Sequence, residues 1–307
     1  MDAVADNPHT EVSPELVVPT LNAIAAVLET KRAEIEAVER KTFKYGYLPR
    51  QQLDVYYPPS SSGKAPVLFF FYGGGFVSGE RIFPAPWSLI YAGLGSFYAK
   101  RGFLTVIPDY RLVPEVSYPE PAEDVGDAVL WVVRNSGIVA AAGSVEPDVS
   151  ALFLLGHSAG AVHLATLLLE PWLRASIAKP LLPRIRGLVL SGGAYAYEPG
   201  KGYEFFIHYY GTVQAASKNE PLALLKAAPA EYVRSLPDIL LVQAERDTVW
   251  ANSSGDIFKD ALSARLGEEV PRLICKGHNH VSVNPALGSG EGEEWAEDVV
   301  LWMKERL

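Results

Sequence analysis

The sequence predicts an α/β fold, with a mostly parallel central sheet and helices on both of its faces. Short apolar runs recur from about residue 50 onward, and helical stretches lie between most of them. A strand of a parallel sheet is buried on both faces, so it reads as a continuous apolar run. With 307 residues, 49% of them hydrophobic, the chain suffices for one such domain over residues 1–307.

The predicted elements follow in chain order. The alternation of Leu53, Val55 and Tyr57 indicates a half-buried strand. Buried strands are predicted at residues 67–72, 103–107, 151–155, 185–190, 239–242 and 273–275. Helices are predicted at residues 87–100, 121–135, 159–170 and 292–306.

Two segments depart from this alternation and together predict a partial cap. Ser13-Pro14 is typical of a helix start, so residues 14–40 are predicted to be helical within an N-terminal segment, 1–45. This segment either packs on the domain surface or forms part of a lid. Residues 194–233 are interpreted as an insertion that caps a substrate pocket, the alternative being a packed surface subdomain. Its aromatic residues are Tyr195, Tyr197, Tyr203, Phe205, Phe206, Tyr209 and Tyr210.

Composition excludes several classes of protein. The net charge is −9 and no dense run of Lys or Arg is present, which argues against a nucleic-acid partner. The single cysteine, Cys275, cannot form an intrachain disulfide or a four-cysteine metal site. The N-terminus lacks the pattern of a signal peptide, and no apolar run reaches about 18 residues. We therefore expect a cytoplasmic protein without a membrane span, and leave association into a homo-oligomer open.

The strongest chemical signal is the pentapeptide of residues 156–160, Gly-His-Ser-Ala-Gly. It follows the apolar run 151–155 and opens a helical stretch, which is the strand-turn-helix context of a nucleophile elbow. Glycines are needed at 156 and 160 because the turn is tight and side chains there would crowd the strand and helix. Ser158 is the predicted nucleophile.

A second signal is the glycine run that follows the strand at 67–72. Gly73, Gly74 and Gly75 expose backbone N–H groups, and negative charge that develops on an attacked carbonyl needs preorganised donors of this kind. We assign the amides of Gly74 and Gly75, with that of Ala159, to an oxyanion hole.

A serine nucleophile needs a histidine base, and the histidine needs a carboxylate that orients it. Asp247 follows the strand at 239–242 and is preferred to Glu245 as the acid. His278 and His280 both follow the last strand; His280 is preferred as the base, and His278 is interpreted as a loop hydrogen-bonding residue. Acyl transfer by such a set requires no metal and no organic cofactor.

Substrate contacts are predicted at five positions near these groups. His157 is not assigned as the base, although it is adjacent to the nucleophile. The predicted substrate-binding residues are Tyr72, Phe76, His157, Tyr195 and Phe206.

At these residues the chain resembles a known group of enzymes. Over roughly residues 50–305 it is similar to the α/β-hydrolase fold esterases related to hormone-sensitive lipase and to the kynurenine formamidases. The matching segments are 72–76, 109–115, 121–124 and 156–160, together with Asp247 and His280. The loops at 277–280 and 290–294 resemble those of fungal members. The resemblance implies structural roles for Asp109, Arg111 and Asp124.

Two residues depart from the hormone-sensitive lipase pattern: Tyr72 stands where histidine is usual, and His157 where that branch has aspartate. His157 is similar to the formamidase-like branch. The predicted function is hydrolysis of a carboxylic ester of a small substrate, with short to medium acyl groups, through a Ser-His-Asp triad and an acyl-enzyme. One alternative is an arylformamidase-like amidase, and another is a non-catalytic ligand receptor on a hydrolase fold.

Overall fold

An eight-stranded sheet forms the centre of the computed structural model, which describes residues 1–59, 63–197 and 204–307. The strand order is β1-β2-β4-β3-β5-β6-β7-β8. β1 and β2 pair antiparallel, as do β2 and β4, and the remaining neighbours pair parallel. The strands are β1 Arg40–Lys44, β2 Gln52–Tyr56, β3 Lys64–Phe71, β4 Leu104–Pro108, β5 Glu146–His157, β6 Ile185–Ser191, β7 Asp238–Arg246 and β8 Arg272–Asn279.

Helices connect the parallel strands and extend both ends of the chain. They are α1 Asp2–Ala5, α2 Pro14–Thr30, α3 Arg32–Glu36, α4 Ile90–Ala99, α5 Glu120–Arg134, α6 Ser136–Ala142, α7 Ala159–Leu169, α8 Pro171–Leu173, α9 Glu204–Tyr210, α10 Val213–Asn219, α11 Pro221–Ala227, α12 Ala230–Arg234, α13 Val249–Leu266 and α14 Glu294–Lys304. Across the described ranges no single helix is long and apolar enough to span a membrane. α5 and α6, which are bent by 71° relative to each other, reach that length and hydropathy only when taken together.

The predicted α/β architecture is confirmed, and its core lies along the central strands. Residues 67–71 of β3 and 152–155 of β5 are fully buried, because helices cover both faces of the sheet there. Each of the predicted strands is present. At about 25 cal/mol per Å² of apolar surface removed from water, this burial is the main favourable term of folding.

Near the N-terminus one sequence prediction needs correction and one strand was missed. The helix predicted over 14–40 is divided, since α2 ends at Thr30 and α3 ends at Glu36. β1 was not predicted, because it carries four charged or polar residues and is mostly exposed. An edge strand that pairs on one side only lacks the apolar run by which the buried strands were found.

Buried ion pairs fix the segment that follows β4. Arg111 donates from Nε and Nη2 to the two carboxylate oxygens of Asp124 on α5, at 2.8 and 2.9 Å. Gln51 donates to the same carboxylate at 3.0 Å. Asp109 accepts a hydrogen bond from the Tyr72 hydroxyl at 2.7 Å. These contacts fit the structural roles that the resemblance implies.

The carboxyl ends of β3, β5, β6, β7 and β8 all lie at one edge of the sheet, because these strands run parallel. The segments that follow them therefore meet in space. Three of these segments carry the predicted nucleophile, acid and base, and a fourth carries the glycine run.

The Asp124 contacts allow a stability prediction. Asp124→Asn removes the buried anionic partner of Arg111, and we expect it to lower the free energy of unfolding by about 2–3 kcal/mol. Glu120→Gln is the matched control, because Glu120 also faces Arg111, at 3.3 Å, but its side chain is 39% exposed. We expect the control to change stability by less than about 0.5 kcal/mol. Urea denaturation measures both, and equal losses would contradict the assignment.

Candidate active site

Ser158 lies in the sharp turn between β5 and α7. Its backbone has φ 52° and ψ −118°, a conformation that a serine adopts only under constraint, at a cost of about 1–3 kcal/mol. The Ser158 amide donates to the Ser191 carbonyl at 2.8 Å, which ties the turn to β6. A Cβ at Gly156 would lie 2.6 Å from the Gly160 carbonyl oxygen, and one at Gly160 would lie 2.1 Å from that of Phe71. Only glycine fits at either position.

Three side chains form a continuous hydrogen-bonded series at this turn. His280 Nε2 lies 3.1 Å from Ser158 Oγ, and His280 Nδ1 lies 2.7 Å from Asp247 Oδ1. The Asp247 carboxylate also accepts the amides of Thr248 at 2.8 Å and Ala244 at 3.3 Å. Burial acts to raise the pKa of Asp247, but His280 and the backbone donors outweigh it and lower the pKa below its ordinary value. Asp247 is therefore ionised beside the histidine.

The two competing residues are bonded elsewhere. The His278 Nε2 donates to the Gly292 carbonyl at 2.7 Å, and its Nδ1 lies 3.0 Å from the Ser282 hydroxyl. Glu245 is exposed, and its carboxylate accepts the Gly277 amide at 2.8 Å. The structure thus brings the preferred acid and base to the serine, and gives His278 the loop-bonding position expected of it.

The glycine run lies directly against the nucleophile. A Cβ at Gly73 would be 2.7 Å from the Ser158 Cβ, so this position admits no side chain. Gly74 and Gly75 have φ values of 141° and 60°, and the Gly74 carbonyl accepts two amides of the turn that follows. Among the described residues, the amides of Gly74, Gly75 and Ala159 donate no backbone hydrogen bond. Gly73 was not assigned from the sequence, although it directly precedes the assigned pair.

His157 supports the histidine loop from below. Its Nε2 lies 3.0 Å from the His280 carbonyl oxygen, so this nitrogen carries the proton and donates. The two rings are 4.9 Å apart. Burial, with the neighbouring His280, lowers the pKa of His157 to about 3. His157 is therefore neutral near pH 7, and its hydrogen bond is made to the protein's own backbone.

Trp250 lies on the other side of the same loop, and sequence reasoning missed it. Its ring is 4.9 Å from the His280 ring at an interplanar angle of 67°. It occupies the first turn of α13, where the Thr248 hydroxyl accepts the Ala251 amide at 3.1 Å and caps the helix. Its position three residues after Asp247, at the start of a helix, is the signal that could have indicated it.

Phe76 and Phe206 belong to a buried group of rings, here called the aromatic cluster. Phe76 stacks on Tyr209 at 4.3 Å and meets Phe206 edge-on at 6.1 Å. The cluster also contacts Ala159 and Val162 of α7. It therefore extends from the glycine run to the nucleophile turn. Its ring-bearing members are Phe76, Tyr118, His163, Phe206, Tyr209 and Tyr210.

The other two predicted substrate-binding tyrosines are bonded within the protein. Tyr72 is fully buried; its hydroxyl donates to Asp109 and accepts from Arg50 at 3.0 Å. Tyr195 stacks on Phe258 at 4.5 Å, and its hydroxyl lies 3.2 Å from the Gly193 amide. The predicted cap residue Tyr203 lies outside the described residues.

Protonation of the cluster histidine gives a pH-dependent prediction. Burial lowers the pKa of His163 to about 3, below the value of about 6.5 expected when unfolded. Between these values the unfolded chain binds one more proton, so His163 makes stability fall as the pH is lowered through this window. His163→Phe keeps the ring and should reduce that slope by about 1.4 kcal/mol per pH unit. Urea denaturation from pH 4.5 to 6 measures it; identical slopes would refute this role.

The chain is similar in sequence to several known proteins. The family model described as BD-FAE matches residues 53–169. A probable isoprenylcysteine alpha-carbonyl methylesterase of Arabidopsis thaliana is 30% identical over 277 residues, which cover 85% of this chain and 55% of that protein. A counterpart in Oryza sativa subsp. japonica is 26% identical, over 83% of this chain and 61% of the relative. The chain thus spans less than two thirds of these plant relatives. A kynurenine formamidase of Salmo salar is 24% identical, over 85% and 81%.

Solved structures share the fold. An esterase of the fungus Rhizomucor miehei superposes with a TM-score of 0.67 at 22% identity, covering 93% of this chain and 90% of that one. An esterase of Pyrobaculum calidifontis gives a TM-score of 0.66 at 20% identity, covering 94% and 92%. At such identities the likeness concerns the fold.

Proposed function

We propose that this chain, which has the α/β-hydrolase fold, is a serine hydrolase that cleaves a carboxylic ester of a small substrate. The observation that carries the proposal is the hydrogen-bonded series from Asp247 through His280 to Ser158, in the strained turn that exposes the serine. Relatives named as an esterase and as methylesterases, matched over most of this chain, support the same reaction.

In the proposed acylation, Ser158 Oγ attacks the ester carbonyl carbon while His280 Nε2 accepts the hydroxyl proton. The carbonyl electron pair moves onto its oxygen and forms a tetrahedral oxyanion. The Asp247 carboxylate stabilises the imidazolium that forms and holds the ring in the orientation that points Nε2 at the serine.

The oxyanion is proposed to accept hydrogen bonds from the amides of Gly74, Gly75 and Ala159. Loss of one such donor typically costs about 10²- to 10³-fold in rate. As the oxyanion collapses, the carbon–oxygen bond to the alcohol breaks and His280 returns its proton to the leaving oxygen. Water, deprotonated by His280, then attacks the acyl-enzyme by the same route and releases the acid. The mechanism requires no metal or organic cofactor.

The aromatic cluster supports an apolar substrate. It packs on Ala159, beside the proposed oxyanion hole, and its Phe76 and Phe206 were predicted to contact substrate. We propose that the acyl group of a short to medium ester lies against the aromatic cluster. Tyr72, His157 and Tyr195 are proposed to support the site through their contacts within the protein. Proposed partners are small molecules rather than nucleic acids, and a cytoplasmic location stays a prediction from the sequence.

An arylformamidase-like reaction is the second candidate. Kynurenine formamidases of Salmo salar and Danio rerio, 24% and 25% identical, support it. The same triad attacks a formamide carbonyl, and the leaving group is then an aromatic amine. A non-catalytic receptor is disfavoured, because such a protein has no need to keep serine, histidine and aspartate in hydrogen-bonding register.

Hydrolysis by the native chain and by Ser158→Ala tests the proposal. The substrates are p-nitrophenyl esters of increasing acyl length, the methyl ester of S-farnesylcysteine and N-formylkynurenine. We expect hydrolysis of short esters, and a loss of at least about 10⁴-fold in kcat for Ser158→Ala. Preferential cleavage of N-formylkynurenine would favour the formamidase. Failure of a fluorophosphonate to label the native serine would refute a hydrolase of either kind.

The acid has its own test. Asp247→Asn keeps the shape but not the charge, and we expect kcat to fall about 10³- to 10⁴-fold with KM little changed. Glu245→Gln is the matched control, since Glu245 lies at the end of the strand that Asp247 follows, and a glutamine side chain can still accept the Gly277 amide. We expect it to retain activity within about threefold. A larger loss in Glu245→Gln than in Asp247→Asn would exchange the two roles.

A further inference from the structure

The first thirty residues, here called the N-terminal strap, are bonded to both loops that carry the proposed acid and base. From these bonds we infer that the strap positions Asp247 and His280, with Arg246, Thr20 and Asn279 as positioning residues. The inference rests on the proposed function. It adds a third role to the two interpretations given from the sequence, a lid or a helix that only packs, and the experiments below distinguish the three.

On the acid side the contact is made by Arg246, which directly precedes Asp247. Its guanidinium donates to the carbonyls of Val4, at 3.1 Å, and of Ala5 and Asn7. A guanidinium presents its donors in a rigid planar fork, so three carbonyl acceptors on one short segment of the chain fix the orientation of the group closely. The backbone at Arg246, and with it the start of the acid turn, is thereby held to the strap.

The strap also contacts the far side of the acid turn. The Glu11 carboxylate accepts the Val249 amide at 2.8 Å. Val249 opens α13, and amides in the first turn of a helix have no acceptor within the helix, so a carboxylate there is favoured. The strap thus forms hydrogen bonds to residues on both sides of Asp247 in the chain, to Arg246 before it and to Val249 after it.

On the base side the contact is made by Thr20, a buried residue of α2. Its hydroxyl accepts a hydrogen bond from the Asn279 side-chain amide at 3.2 Å. The side-chain oxygen Oδ1 of Asn279, in turn, accepts the backbone amides of Val281 and Ser282, both at 3.0 Å. This one side chain therefore fixes the backbone around His280, and Thr20 orients it.

These bonds act on geometry rather than on substrate binding. The triad works only when His280 meets both Asp247 and Ser158 in line, and a displacement of about 1 Å can cost up to about 10²-fold. A positioning role therefore predicts a lower kcat at nearly constant KM for every ester. A lid would change KM, and would do so more for long acyl groups. A helix that only packs would change stability alone.

The first test uses three substitutions on α2. Thr20→Val removes the hydroxyl that orients Asn279; we expect kcat for p-nitrophenyl acetate and butyrate to fall about tenfold, with KM within about twofold. Thr20→Ser restores the hydroxyl and should recover kcat to within about twofold. Thr30→Val is the matched control, because the exposed Thr30 hydroxyl donates to the Val27 carbonyl of the same helix and, among the described residues, bonds to neither loop of the triad. Denaturation curves confirm that each variant is folded.

The second test uses Arg246→Ala, for which we expect the same pattern of lowered kcat. Arg101→Ala is the control, since that guanidinium bonds to the Phe97 carbonyl and to Glu297 of α14. The inference fails if Thr20→Val and Arg246→Ala keep the native kcat, or if KM alone rises with acyl length. Fluorophosphonate labelling of the native chain separates this failure from that of the proposed function: an unlabelled native chain would overturn both.

Discussion

The close approach of α7 to the ends of β3 and β5 is the constraint on which the rest of the site depends. Gly160 lies so near the Phe71 carbonyl that no side chain fits between them, and Gly156 meets the backbone of α7 in the same way. The chain can reverse direction there only through the strained backbone of Ser158. The close packing of the buried strands β3 and β5 sustains this strain, which is why the serine projects beyond the strands.

Burial restricts which side chains near the nucleophile carry a charge. Asp247 is ionised beside His280, whereas the two other buried histidines of the nucleophile segment, His157 and His163, are neutral. A second cation near the triad would compete with the imidazolium for the carboxylate. Because burial keeps His157 and His163 neutral, neither ring competes with His280 for the Asp247 carboxylate.

Much of this arrangement could be predicted from the sequence, because its signals are local. Apolar runs identified the buried strands, and the glycines around Ser158 identified the turn. β1 could not be found in this way, since its residues face solvent. Gly73 and Trp250 were missed because their importance lies in contacts with Ser158 and His280, which are distant in the chain. The hydrogen bond between Asn279 and Thr20 joins residues that are even farther apart in the chain, and no periodic pattern in the sequence indicates it.

The hydrogen bond from His157 to the carbonyl of His280 limits which residues can stand directly before the nucleophile. An aspartate at position 157 would place a carboxylate against this carbonyl, and two acceptors would meet without a proton between them. The residue before the nucleophile and the path of the histidine loop must therefore change together.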